Sequence, residues 1–255
     1  MNFKRLIPNA LTMGNLLGGA YVCWVSASGN DITDGRIAAV WLAAMFFDIL
    51  DGWAARKLGV ESPMGVQLDS LADLVTGGLA PAFVAYRLIC ESGACELLVL
   101  NILPALLVVS AAYRLARYNV SASKGNGNGF FEGLPAPASG LFWMGMTLWW
   151  GESYTCAISE ALSGSDFQIR VMLIVAALGV TMIPFLMVIK RPFFGLKTWG
   201  KDKTIDWIRR LLGVVFIVVA TGMWIAWGNV YAAVPLCVLL YASSALVFTP
   251  KQFTT

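Results

Sequence analysis

The stretch FFDILDGWAARKLGVESPMGVQLDSLADL, residues 46–74, sets four aspartates, Asp48, Asp51, Asp69 and Asp73, inside what otherwise reads as apolar helix. The rest of the chain decides whether that helix lies in lipid or in water. Of 255 residues, 58% are hydrophobic and 13% charged, against roughly 25% charged in an ordinary soluble domain. Such a chain has no adequate polar coat for water and reads as an integral membrane protein. It contains no histidine, which excludes His-based catalysis and His metal ligation. The five cysteines include no CxxC pair, so neither a zinc nor an iron–sulfur pattern is present. Cys90 and Cys95 flank a short loop. A disulfide there requires an oxidising compartment, and two free thiols are the default reading.

A membrane-spanning helix needs about 20 apolar residues. Runs of that kind fall at residues 6–27, 37–56, 65–88, 97–117, 133–151, 169–189, 209–227 and 231–249. The expected fold is therefore all-α, a polytopic membrane helical bundle of about eight transmembrane helices forming one domain over residues 1–255. The first run lacks a small-residue cleavage site and is too long for a signal-peptide core, so it reads as a retained span. Orientation follows from the positive-inside rule. Of the 18 Lys and Arg residues, all but Arg36, Arg87 and Arg170 fall at the chain ends or on one set of loops and helix ends. That places both termini, and the loops near residues 57–64, 118–132 and 190–208, on the cytoplasmic side of the membrane. Trp149, Trp150, Trp207, Trp224 and Trp227 lie near the expected interfaces, where an aromatic belt would put them.

With this topology, Asp48 and Asp51 end the second span and Asp69 and Asp73 begin the third. A turn around Ser62 and Pro63 folds the two pairs toward each other at one membrane depth. Spacings of three and four residues put each pair on one helix face. Intramembrane acids are costly and are functional candidates by default. One reading of the cluster is a cytoplasmic rim salt-bridged to Arg56 and Lys57, but two cations neutralise four acids poorly. A set of hard oxygen donors without His or Cys suits Mg²⁺, Mn²⁺ or Ca²⁺ instead. Mg²⁺ or Mn²⁺ also bridges carboxylates to phosphate oxygens, which points to a phosphate-bearing substrate. A third reading is a non-enzymatic divalent-cation carrier, for which intramembrane acids are also expected.

The pattern Asp48-x2-Asp51-Gly52-x2-Ala55-Arg56-x8-Gly65-x3-Asp69-x3-Asp73 resembles the full signature of the CDP-alcohol phosphatidyltransferases, with every fixed position filled. The segment IPNALTMGN, residues 7–15, is similar to that family's opening helix. The resemblance implies two divalent ions, Mg²⁺ or Mn²⁺, and displacement of CMP from a CDP-linked lipid by an alcohol hydroxyl. It also implies Asp48, Asp51, Asp69 and Asp73 as metal ligands, with Asp73 accepting the proton of the attacking hydroxyl. Asn9 and Thr12, together with Gly52, Ala55, Arg56 and Gly65, would lie along the nucleotide and phosphates, and Asn15 is a further nucleotide candidate. For Asn9, Thr12 and Asn15 the plain alternative is helix capping. The small residues Gly52, Ala55 and Gly65 equally suit close helix packing.

Three further segments, DSLADLVTGGLAPA (69–82), YRLARYN (113–119) and FFEGLPAPASG (130–140), resemble the phosphatidylserine synthase branch of that family. The resemblance implies L-serine as acceptor, CDP-diacylglycerol or a CDP-archaeol-like lipid as donor, surrounding membrane lipids, no nucleic acid and a homodimer. It puts the catalytic core at about residues 1–190, with two additional C-terminal spans at about 209–249. Arg114 and Arg117 are candidates for the lipid phosphate or the acceptor carboxylate, and Glu132 for the acceptor ammonium; the arginines alternatively snorkel to headgroups. The same transfer to glycerol 3-phosphate or an inositol phosphate is the nearest alternative.

Overall fold

The computed structural model describes residues 3–92, 101–123, 131–159, 165–193, 203–228 and 230–247. The described chain is almost entirely helical. Helices α1 (Phe3–Ala27) and α2 (Gly35–Leu58) are followed by α3 (Pro63–Leu74), a π-helical turn (Val75–Leu79) and α4 (Ala80–Glu91). Then come α5 (Ala105–Ser123), α6 (Ala136–Ser159), α7 (Ser165–Val188), α8 (Lys203–Trp227) and α9 (Ala233–Val247). The extended residues Phe131–Glu132 (β1) and Pro192–Phe193 (β2) form one short antiparallel ladder.

Local chemistry sets the α2–α3 hairpin. Gly59 closes α2 in the left-handed region, at φ 62°, and its N–H reaches the carbonyls of Ala55 and Arg56; glycine takes that conformation without steric cost. Three residues later Ser62 caps α3 by accepting from the Gly65 N–H at 3.1 Å. Pro63 occupies the first turn, where its missing donor costs nothing. The chain therefore reverses between residues 59 and 62, and the two aspartate pairs are brought alongside each other.

Helix α3 runs without a break through the π-turn into α4, making a rod of 29 residues, Pro63–Glu91. The turn directly follows Asp73 and packs at the centre of the bundle, against α1, α5 and α6. The approach is close enough to need glycine. A Cβ on Gly77 would lie 2.7 Å from the Ala136 Cβ and 2.9 Å from that residue's carbonyl carbon and oxygen. Across the turn, a Cβ on Gly19 of α1 would meet the Thr76 backbone at 3.1 Å. Trp41 of α2 donates its indole N–H to the Thr76 carbonyl at 3.1 Å, which ties the wide turn to the helix that carries Asp48 and Asp51.

The interior is filled by Trp41, Leu107, Phe142, Trp143, Met146 and Trp149. The outer surface is apolar as well: Trp24 is 73% exposed and Ile225 80%. In water such a surface would be an aggregation liability; facing lipid it is what a membrane protein requires. Among the described residues, three helices are long and apolar enough to cross a membrane, Gly35–Leu58, Pro63–Glu91 and Arg170–Val188, and two shorter apolar ones run over Arg210–Ile225 and Ala233–Ser244. The chain is a membrane protein.

Several expectations are corrected. The fourth span, read as 97–117, is the helix Ala105–Ser123; residues 97–100 lie outside the described part, and a turn at Leu103–Pro104 precedes the helix. The fifth begins at Ala136 rather than 133, because Gly133 takes φ 82° and the N–H groups of Gly133 and Leu134 bond to the carbonyls of Arg191 and Leu186. Trp149 and Trp150 are buried in the core rather than placed in a belt, whereas Trp207 and Trp224 are exposed as expected; the side chain of Trp227 lies outside the described part. Cys90 is disulfide-bonded, contrary to the free-thiol reading, and Cys95 lies outside the described residues.

Substituting Gly77→Ala should lower the thermal midpoint of the detergent-purified protein by an amount corresponding to about 1–3 kcal/mol, the usual cost of overpacking. Gly213→Ala on α8, where a Cβ meets nothing within 4 Å, should leave the midpoint unchanged or raise it. Differential scanning fluorimetry of both variants checks the contrast.

Candidate active site

Carboxylate oxygens of Asp48, Asp51 and Asp69 all lie within 4.8 Å of one another. Asp73, one turn beyond Asp69, is within hydrogen-bond range of Asp48. Asp51 is 4% exposed, and the other three are partly buried. Two helices from one hairpin thus bring three acids within 4.8 Å of one another, with the fourth beside them. At that separation, away from bulk water, ionised carboxylates repel strongly unless protons or cations sit between them. The donors are all hard oxygens, and the spacing is short enough for two or three of them to share one ion. The residues present therefore fit a divalent cation of the Mg²⁺, Mn²⁺ or Ca²⁺ kind.

Thr12 of α1 is buried and donates its hydroxyl to Asp51 Oδ2 at 2.5 Å, with the Pro8 carbonyl 3.0 Å from the same hydroxyl oxygen. Expected along the nucleotide, its hydroxyl orients a carboxylate here. Asn9, one turn earlier, faces the start of α3: its Oδ1 lies 3.9 Å from where a Gly65 Cβ would be. The Arg56 guanidinium folds back over Gly52, with Nη1 3.4 Å from the position of the missing Cβ; Ala55 is half-buried beside it. Lys57 lies over the Trp53 ring at 4.5 Å from its centroid. That weakens the salt-bridged rim, because one of its two cations is engaged with an aromatic face.

Arg114 and Arg117, both on α5, have different tasks. Arg114 is 5% exposed and its charge faces Asp73. Arg117 donates to the carbonyls of Val188 (2.7 Å) and Glu132 (3.0 Å), and its Nε lies 3.6 Å from the Glu132 carboxylate. This pair clamps the β1–β2 ladder to the end of α7. Arg117 and Glu132, expected near the lipid phosphate and the acceptor, engage each other and the backbone here. Arg114 stays beside the acids.

A small cavity opens next to the cluster, lined by Asn15, Met45, Asp48, Asp73, Thr76, Gly77 and Pro137. Sequence reasoning did not single out Met45, Thr76, Gly77 or Pro137 individually. The signal for Thr76 and Pro137 was present in the segments TGG and PAPAS, whose small residues flank a helix carrying an intramembrane acid, but only the π-turn brings those segments together. Ser70 of α3 accepts a hydrogen bond from Asn119 Nδ2 at 2.8 Å, so α5 is also locked onto the aspartate helix.

A family model described as CDP-alcohol phosphatidyltransferase matches residues 5–183, a stretch that includes all four aspartates and both arginines of α5. The chain belongs to the CDP-alcohol phosphatidyltransferase family. Relatives of this family member include a CDP-diacylglycerol–serine O-phosphatidyltransferase of Bacillus subtilis, 36% identical over 138 residues, covering 53% of this chain and 71% of that one. An archaetidylserine synthase of Methanothermobacter thermautotrophicus is 34% identical over 149 residues, 55% of this chain and 59% of its own. A CDP-diacylglycerol–serine O-phosphatidyltransferase of Helicobacter pylori is 32% identical over 144 residues, 55% of this chain and 56% of its own. For the last two, the similarity spans little more than half of the relative's length.

Removing the Thr12 hydroxyl leaves Asp51 without its orienting donor. Thr12→Val should weaken Mn²⁺ binding by about 10- to 100-fold, the usual effect of losing an outer partner of a metal ligand, while Thr12→Ser should restore most of it. Calorimetric titration of the detergent-purified variants with Mn²⁺ measures both.

Proposed function

We infer that this transferase is a phosphatidylserine synthase: it moves the phosphatidyl group from CDP-diacylglycerol, or a CDP-archaeol-like lipid, to the hydroxyl of L-serine and releases CMP. The observation that carries the reading is the convergence of four carboxylates and one buried arginine at one end of a helical hairpin whose relatives are named for transfer to serine. One domain over residues 1–255 does this, with the core at about 1–190 and α8 and α9 as additional packing spans. The working form is a homodimer.

The site belongs on the cytoplasmic side together with both chain termini, which is the inner or plasma membrane if the cell is bacterial or archaeal. Two observations support that side. In the topology expected from the apolar runs, all but three of the 18 Lys and Arg residues fall on the aspartates' side. At the far end of the rod that carries Asp69 and Asp73, Cys90 is disulfide-bonded, as suits an oxidising exterior.

Asp48, Asp51 and Asp69, completed by Asp73, would hold Mg²⁺ or Mn²⁺, as two ions. When bound, such ions supply charge neutralisation and polarise phosphate oxygens. The protein's own groups do the rest. Gly52, Ala55 and Gly65 keep the floor of the hairpin low enough for a flat base to approach, while Asn9 and Arg56 border it. Asp73 takes the proton from the serine hydroxyl as its oxygen attacks the lipid-side phosphorus; the bond from that phosphorus to the CMP oxygen breaks, and CMP leaves. Arg114, buried beside Asp73, holds negative charge on the phosphate or on the serine carboxylate. Attack is direct, since an aspartate engaged with cations and neighbouring acids is a poor nucleophile.

Purified protein given CDP-diacylglycerol and Mn²⁺ or Mg²⁺ should release CMP only when L-serine is added, and glycerol 3-phosphate or an inositol phosphate should not replace it. Chelation should abolish release and added Mn²⁺ restore it. Asp73→Asn should cut the rate by about 10²- to 10⁴-fold, the range of a lost general base. CMP release that ignores serine but tracks another alcohol would replace the acceptor, and metal flux without CMP would replace the chemistry with a cation carrier.

A further inference from the structure

The cavity beside Asp48 and Asp73 contains a group that the transfer to serine leaves without work. Asn15 of α1 is fully buried, and among the described residues no hydrogen-bond partner reaches its Oδ1 or its Nδ2. Burying both ends of a carboxamide without partners is unfavourable, so this side chain is placed for something that enters the cavity. Its neighbours say which side of the reaction that is. Thr12, one turn earlier, is turned to Asp51, and Asn9, two turns earlier, faces Gly65 at the nucleotide end. Asn15 shares its cavity with Asp73 and with the π-turn residues Thr76 and Gly77. Along α1 the polar residues thus step away from the nucleotide region toward the carboxylate given the acceptor's proton.

The free volume is about 10 Å³, room for a single water-sized group. A hydroxyl fits as the cavity stands, and the neighbouring ammonium enters only as the cavity widens. We propose that Asn15 positions the acceptor, a 2-amino alcohol, by donating from Nδ2 to the reacting hydroxyl oxygen and accepting at Oδ1 from the neighbouring ammonium. The electron count is consistent. The hydroxyl oxygen has two lone pairs: one accepts the Asn15 N–H, the other attacks phosphorus, and its proton passes to Asp73. A carboxamide is the one uncharged side chain that offers a donor and an acceptor side by side, which matches a hydroxyl and an ammonium on adjacent carbons. Glycerol 3-phosphate can offer Oδ1 only the uncharged hydroxyl of its second carbon, a weaker donor than an ammonium. Asn15 is therefore a specificity-determining residue, and this inference rests on the serine reading of the same site.

The test uses full-length protein in detergent with CDP-diacylglycerol and Mn²⁺, comparing wild type, Asn15→Ala, Asn15→Gln and Asn15→Leu. Asn15→Ala should raise the KM for serine about tenfold or more with the KM for CDP-diacylglycerol unchanged. It should also erase the preference of the site for serine over 3-hydroxypropionate as a competing ligand, because that acid lacks the ammonium. Asn15→Gln should recover part of the preference. Asn15→Leu, which removes the buried amide at nearly constant volume, should melt no lower than wild type while losing serine-dependent turnover. A raised KM for the donor, or for both substrates alike, would overturn the proposal in favour of a nucleotide contact. A drop in melting temperature for Asn15→Leu with serine kinetics intact would overturn it in favour of a packing role. Wild type that ignores serine altogether defeats the parent reading; serine-dependent wild type with an unchanged serine KM in Asn15→Ala defeats this inference alone.

Discussion

Mutual repulsion of carboxylates held away from water is the constraint on which the rest of this molecule depends. Asp48, Asp51 and Asp69 place oxygens within 4.8 Å of one another, an arrangement that is tolerable only if something rigid prevents the helices from splaying. The surrounding structure supplies that rigidity. A two-ended cap at Gly59 and Ser62 fixes the hairpin, a tryptophan–carbonyl hydrogen bond pins α2 to the π-turn, and Asn119 ties α5 to α3. Each of these contacts acts within a few turns of an aspartate.

The π-turn matters for the same reason. A regular helix after Asp73 would carry the chain straight across the bundle; the wider turn inserts a residue and lets Thr76, Gly77 and Gly78 sit flush against α1, α5 and α6. Such turns are frequent at functional sites, and they alter the rotation of the downstream helix without ending it. Here the same residues that pack densely against three helices, Thr76 and Gly77 among them, also line the small space beside Asp48 and Asp73.

Arginine use divides along the same line. On α5, Arg114 and Arg117 are three residues apart and look equivalent in sequence, yet one faces Asp73 and the other is spent on two backbone carbonyls and Glu132. The second arginine keeps the loop-to-α7 junction closed, so the Pro/Gly-rich entry to α6 stays in place and Pro137 can line the cavity. A scaffolding arginine and a charge-facing arginine thus cooperate without sharing a ligand.

By itself, the sequence determined the class of fold and where the charge had to gather. Low charge and long apolar runs dictate a helical membrane protein, and spacings of three and four residues put acids on helix faces whatever the packing around them. Those are local, periodic properties, and they were legible. What only the tertiary structure decided is which polar side chains face one another: that Thr12 turns to Asp51 instead of outward, that Asn15 is sealed beside Asp73, that Arg117 is occupied, and that Trp149 and Trp150 are core. Contacts of that kind depend on the rotation of one helix against another, set here by a π-turn and by a few glycines. A rotation of that size leaves composition and spacing unchanged, and therefore leaves no trace in a single sequence.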